Sequence, residues 1–495
     1  MSAVGRLIVG VITAGAAIIA AVEPAQSLPS FARQTGQPCG KCHTDFPGLT
    51  PFGRQFKLGG YTLGGGDYRT TIFPTEDEAS STKAVMNYLA TKAPPAATSA
   101  EAPKIWIPPI SAMEIIGFTH TRMAQDPTGS PWNPNNNTAL SPVSLFWGGA
   151  ITEHTGAFIQ GTYNASGMGA PADAFTHHST WDQVDIRYAN TGKLGSLDVT
   201  YGITANNNPT VQDLWNTTPA WGFPQAYAVS TLAPGPAAKT LIDGTLAAHV
   251  GGVGAYAYIN NLLYVELSGY QTLNFNAQNR LGTDPFGAPG LFNGIAPYWR
   301  VALEPNWGDH YLMIGTFGMV SQVRPWIDSM GVNSLSTFTQ SDKFTDIGFD
   351  SQYQYKGENY WFTLRGSYIH EDQKLDSSFA NNLSANPTNK LNTAKAYASL
   401  AYGDNNRIVF TGQYFNTWGT PDTGLYGGLI SGASPNSNGY IAEIAYIPFG
   451  SSKSPLWPWA NARLGVQYTW YNKFDGDKMN AHANNTTFIY LWMAQ

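Results

Sequence analysis

The sequence predicts a mainly β protein: a transmembrane antiparallel β-barrel of about sixteen strands that carries a small N-terminal α-helical unit. Three observations predict it. From Ile110 onward apolar and polar residues alternate with period two. The connections between these runs are short and long by turns, the plan of an outer-membrane barrel. Charged residues are 12% of the chain, about half the usual quarter. Aromatics are abundant, at 26 Tyr, 24 Phe and 15 Trp, and there are 52 Gly. The mean hydropathy is −0.21, and past the N-terminus no apolar run has the length of a membrane helix. Weak charge, aromatics and glycine without such a run suggest strands in lipid. The net charge of −6 gives no basic surface for a nucleic acid.

Residues 1–27 read as a secretory signal peptide. Arg6 supplies a positive charge, Leu7 to about Val22 an apolar run, and Ala25-Gln26-Ser27 small residues at the cleavage-setting positions. The mature chain is expected to begin near Leu28.

Residues 28–109 form a first unit with its linker. Its centre is Cys39-Gly40-Lys41-Cys42-His43. Two cysteines three apart, followed at once by histidine, form the attachment signature of c-type haem. Two thiols on one tight turn add to the two vinyl groups of one porphyrin, and the adjacent imidazole swings under the iron. These are the only two cysteines. A structural zinc needs about four Cys or His ligands, and no second pair exists. The expected cofactor is one covalent haem c, with His43 as proximal ligand. Export fits it, because haem is attached to such motifs after secretion.

Thr50-Pro51 is expected to start a short helix, with Pro at the favoured first position, and Gly59-Gly60 to end it. A second helix is expected from Thr75, where Thr75 and Glu78 make a capping box, with Val85, Met86 and Leu89 on its apolar face. Pro94-Pro95 through Pro108-Pro109 read as an extended linker. Phe46, Leu49, Phe52 and Phe56 supply a haem wall, and Arg54 and Lys57 are candidates to pair with propionates. Three candidates stand for the distal ligand. Met86 is the only methionine of the unit, and an axial Met raises the potential. Met113 and His120, on the first strand, would be donated by the barrel. His120 shares its strand face with Glu114 and Arg122, which reads as lumen.

Residues 110–495 read as the barrel. The clearest strand is Asp346 to Tyr355, and Ala462 to Trp470, Gln183 to Tyr188 and Arg407 to Tyr414 alternate likewise. Thr191-Gly192-Lys193, Asn260-Asn261 and Gly403-Asp404-Asn405 read as short turns. The stretches near 124–140, 207–243, 275–295, 322–342, 372–391 and 418–436 read as long polar loops on the other side. An even strand count puts both barrel ends on the short-turn, periplasmic side, so the haem unit sits at or in that mouth. Asp185, Arg187, Asp198, Glu266, Arg300, Asp346, Asp350, Arg365, Glu443 and Arg463 are expected to line and brace the lumen. His177-His178 are expected in an outer loop near Asp173 and Asp182. No nucleophilic triad, phosphate loop or paired catalytic carboxylates stands out.

One family resemblance is specific. Pro29-Ser30-Phe31-Ala32-Arg33-Gln34-Thr35-Gly36, then Cys39-x-x-Cys42-His43-Thr44, then Leu49-Thr50-Pro51-x-Gly53-Arg54-x-Phe56-Lys57-x-x-Gly60-Tyr61 resembles the fused outer-membrane monohaem cytochrome c–porins of iron-oxidising bacteria. The motif covers about 33 residues; the barrel is similar only in length, order and pattern. The resemblance implies an electron-transfer cytochrome of the outer membrane. Its donor would be extracellular Fe(II), and its acceptor a periplasmic c-type cytochrome or copper protein. As an enzyme it would be an iron:cytochrome c oxidoreductase without bond chemistry. The readings that compete with this are a porin-like channel with a structural haem domain and a haem enzyme such as a peroxidase.

Overall fold

The structure, a computed structural model, describes residues 28–62, 109–124, 133–140, 143–152, 154–168, 177–211, 213–218, 234–283, 290–329, 332–335, 340–427 and 434–495. The signal segment, the helix expected at Thr75, Met86 and the proline linker lie outside the described residues.

Sixteen antiparallel strands form one closed barrel. They are β1 (Ile110–Thr121), β2 (Asn136–Leu140 and Val143–Ala150), β3 (Thr155–Met168), β4 (His177–Leu194), β5 (Leu197–Asn206), β6 (Val250–Ile259), β7 (Leu263–Thr272) and β8 (Gly290–Phe292 and Ala296–Leu303). The wall continues through β9 (His310–Ser329), β10 (Asp342–Lys356), β11 (Tyr360–Lys374), β12 (Thr388–Tyr402), β13 (Ile408–Gly419), β14 (Ser437–Tyr446), β15 (Asn461–Lys473) and β16 (Thr486–Ala494). Each strand pairs with the next, and β1 closes on β16 from Met113↔Ala494 to Thr121↔Thr486. Closure leaves no open edge, the condition for strands in lipid. The count agrees with the expectation of about sixteen strands.

Alternation does what the sequence implies. On β10 Asp346, Asp350, Gln352 and Gln354 are buried in the lumen, while Ile347 and Phe349 are exposed on the outer, lipid-facing wall. Asn260 and Asn261 both have positive φ, 51° each, the backbone of a two-residue hairpin turn matched to strand twist.

Among its described residues the N-terminal unit has three short helices: α1 (Pro29–Thr35), α2 (Cys39–Cys42) and α3 (Pro51–Leu58). As expected, Pro51 opens α3 and Gly59 caps it. The Gly53 N–H donates to Thr50 Oγ1 at 3.1 Å. Gly60 has φ +72°, and a Cβ there would lie 3.2 Å from the Arg187 carbonyl oxygen. The close approach shows where the unit sits: against the lumen wall, near the short-turn mouth. Phe46 packs on Trp492 of β16 at 4.7 Å between centroids. The Ser30 N–H donates to Ser111 Oγ of β1 at 3.0 Å, and the Tyr256 hydroxyl of β6 to the Leu58 carbonyl at 2.6 Å.

The connection between β5 and β6 departs from expectation. It reads as a polar outer loop, but its described residues fold into the lumen. Val211, Leu214, Trp215, Leu241, Ile242 and Leu246 are all buried. This strap meets the unit from the far side: Lys57 Nζ donates to the Val211 and Asp213 carbonyls, and Asn216 Nδ2 to the Pro47 carbonyl at 2.8 Å. Apolar residues inside a nominally polar loop are the signal for burial.

Candidate functional site

Cys39, Cys42 and His43 lie on and just after a single helical turn, α2, closed by the His43 N–H donating to the Cys39 carbonyl at 3.0 Å. The turn is stitched to α3. The Thr50 N–H donates to the Cys42 carbonyl at 2.9 Å, and its hydroxyl to the Lys41 carbonyl at 2.5 Å. Gly53 sits against this junction, where a Cβ would lie 2.2 Å from the Cys42 carbonyl oxygen.

Neither cysteine is in a disulfide, and both line one cavity together with His43. The cavity has a volume of about 140 Å³. Its walls are Leu28, Phe31 and Ala32 of α1, Phe46, Leu49, Phe56 and Tyr61 of the unit, Phe158 of β3, and Val211 and Asn216 of the strap. Phe31 stacks on Tyr61 at 5.7 Å and meets the edge of Phe56 at 5.1 Å.

The His43 ring is set for ligation. Its Nδ1 lies 3.2 Å from the Gly48 carbonyl oxygen. A carbonyl only accepts, so Nδ1 carries the proton and Nε2 keeps its lone pair. Burial pushes the imidazole pKa down to about 4, only partly offset by that hydrogen bond. It is therefore neutral at physiological pH. Burial, then the neighbouring Cys39, pushes the Cys42 thiol up to about 12.

Lys57 lines the cavity, with its ammonium on the strap carbonyls. Burial lowers its pKa to about 8. Leu49, Phe46 and Phe56 line it too; Phe52 does not, but lies beneath the Lys41 ammonium at 5.1 Å. Leu28, Phe31, Phe158 and the strap residues are absent from the sequence-level wall. Their approach depends on the fold.

Arg54 corrects expectation. It is 3% exposed but outside the cavity lining. It pairs with Glu304 just beyond β8 and donates to Gln354 Oε1 of β10 at 2.7 Å. Glu304 lies 250 positions along the chain, so spacing carried no sign of it. Arg54 bolts the unit to the barrel. His120 is also corrected. On β1 the lumen-facing residues are Ser111, Ile115 and Thr119, which places His120 on the outer face. There its Nδ1 meets Asn136 Oδ1 at 2.8 Å, beside the long loops. Met113 packs with Ile115 and Trp492 and does not line the cavity. Neither lines the cavity that His43 lines.

The lumen charges are placed as expected, except one. Arg187 pairs with Asp185 at 2.8 Å, Arg300 with Asp350, and Arg463 with Glu443. Asp198 instead faces solvent at the start of β5, 3.5 Å from Lys193. His177 and His178 belong to β4, not to a loop.

No family model matches this chain, and no curated protein matches it. Solved structures do. A loop-deletion mutant of OmpT, an outer membrane protein of Vibrio cholerae, aligns at 9% identity over 78% of this chain and 98% of its own, with TM-score 0.41. OprB of Pseudomonas putida aligns at 10% over 78% and 94%, with TM-score 0.42. An anion-selective porin from Comamonas acidovorans aligns at 11% over 78% and 99%, with TM-score 0.39. The chain is a closed sixteen-stranded antiparallel β-barrel with a helical unit seated in its short-turn mouth.

Proposed function

We propose that the unit holds one haem c and that the protein is an outer-membrane electron relay. Electrons pass one at a time from an extracellular donor, Fe(II), to a soluble periplasmic c-type cytochrome or copper protein. The observation that carries this is the convergence of Cys39, Cys42 and the free Nε2 of His43 on one apolar cavity in the barrel mouth. The donor set fits: two thiols for thioether bonds and an imidazole for iron.

The haem supplies reversible one-electron iron chemistry. The chain's residues do the rest. The Gly48 carbonyl fixes the His43 tautomer. Phe31, Phe46, Phe56 and Phe158 give the cavity an apolar lining. Lys57 offers a cation for a propionate. Ferrous iron gives up one electron and becomes ferric, and the carrier gains that electron; no bond is made or broken. Oxidation at neutral pH yields an insoluble product, which favours moving the electron and leaving the iron outside.

A channel reading competes, since a barrel of this strand number encloses a lumen. The unit and the strap both lie in that lumen, which weighs against free solute flux. Stopped-flow mixing of the oxidised, haem-loaded protein with Fe(II) tests the relay. Reduction of the haem is expected. Failure at every pH, while another donor succeeds, removes iron from the reading. Liposome swelling by small solutes would favour the channel, and peroxide turnover a haem enzyme.

A further inference from the structure

Strand β10 presents carboxylates to the lumen at every fourth residue: Asp342, Asp346 and Asp350. Two of them are compensated. Asp350 pairs with Arg300, and Asp342 accepts the Ser377 and Ser378 N–H groups at 2.8 and 2.9 Å. Asp346 has other company. Directly across the ladder stands Glu371 of β11, and the two are 2% and 1% exposed. The strap N–H groups of Ile242 and Leu241 donate to them at 2.9 and 2.5 Å. Among the described residues no ion pair includes either carboxylate; Lys395 is held by Asp243 at 2.6 Å.

Two opposed carboxylates out of water cannot both stay charged without a counterion. The two carboxyls lie within hydrogen-bond reach of each other, so a shared proton or a cation sits between them. Gln373 Oε1 is buried without a hydrogen-bond partner. Gln373 belongs to the same cluster, because its Nε2 donates to Glu371 Oε1 at 2.5 Å. Leu241, Ile242 and Phe344 close the surroundings with apolar surface. Two carboxylates and an amide oxygen form a hard donor set.

We propose that Asp346, Glu371 and Gln373 bind one divalent cation of the Fe²⁺ and Mn²⁺ class in the outer half of the lumen. No three His, Cys, Asp or Glu converge on one point among the described residues, so water completes the shell, as it does where only one or two carboxylates bind. The position lies between the long loops and the cavity. Asp350 is four residues nearer the unit, about 13 Å along the strand, and there it accepts the Thr217 hydroxyl beside cavity-lining Asn216. That this cation is the electron donor pausing on its way rests on the relay proposed above; the binding itself does not.

The test is Mn²⁺ titration of the haem-loaded protein in detergent, read by loss of the free-ion electron paramagnetic resonance signal. One equivalent is expected to bind, displaced by Fe²⁺. Asp346→Asn and Glu371→Gln should each weaken it at least tenfold, with heat-modifiable gel mobility confirming an intact barrel. No binding by the unaltered protein, or equal binding by folded variants, would mean that the pair only shares a proton, and overturns the site. Mn²⁺ does not reduce the haem, so the two proposals separate. Binding of Mn²⁺ with no reduction by Fe(II) removes the donor and keeps the site. Reduction with no Mn²⁺ binding does the reverse.

Discussion

The barrel wall and the helical unit inside it are stabilised in opposite ways. The wall completes its own backbone pairing around a closed ring. The unit completes almost nothing alone. Its helices have seven, four and eight residues, lengths at which isolated helices are marginal in water. It borrows from the wall and its turns instead. The Cys39 N–H donates to the Gly450 carbonyl at 3.1 Å, and Asn406 Nδ2 to the His43 carbonyl at 2.7 Å. The haem signature is therefore held in shape by residues some 360 to 410 positions away. A self-sufficient wall and a dependent insert make separable expectations.

The largest concerns the cofactor. A Cys39→Ser/Cys42→Ser double variant should lose covalent haem altogether, while the wall keeps its heat-modifiable mobility. Peroxide-resistant haem staining after denaturing gels checks the first part. Unchanged staining would refute the attachment, and a wall that fails to assemble would refute its independence.

Next comes the bolt. Arg54→Ala leaves the Glu304 carboxylate buried without its partner, a loss of about 3–5 kcal/mol for buried pairs of this kind. The cost should fall on docking of the unit. Protease should cut within residues 28–62 at temperatures where the barrel still resists. Adding Glu304→Gln should recover part of the loss, since the two positions are coupled. A uniform drop in barrel melting instead would mean that the two regions share one cooperative transition.

The same contrast explains what the sequence disclosed. The wall was legible because one local rule, alternation, repeats along every strand, so Asp346 to Tyr355 announces both faces by itself. The CxxCH turn was legible because its chemistry lies within five residues. Arg54, Asp198 and His120 were misplaced because their environments are set by register and by distant partners. Periodicity fixes which residues share a face but not which face looks inward, and on β1 that choice put His120 outside. The strap is not legible from its length, because a long connection can fold inward as well as outward. Trp215 and Leu241 in it argue for burial.

The smallest effect separates the regions by acidity. His43 has an ordinary pKa of 6.5 and is held near 4 by burial. Unfolding exposes it, so between these values the unfolded chain binds a proton that the docked unit refuses. Stability then falls as pH drops through that window. The full difference is about 3 kcal/mol, at 1.36 kcal/mol per pKa unit, and nothing is lost above pH 6.5 from this group. In haem-free protein, protease resistance of the unit should therefore decline from pH 6.5 to 4 more steeply in the unaltered chain than in His43→Gln. That variant keeps a donor for the Gly48 carbonyl but takes no proton. Other titrating groups are the same in both chains and cancel in the comparison. Parallel curves would mean that water reaches the imidazole in the haem-free protein, and that the cofactor itself closes the cavity around His43.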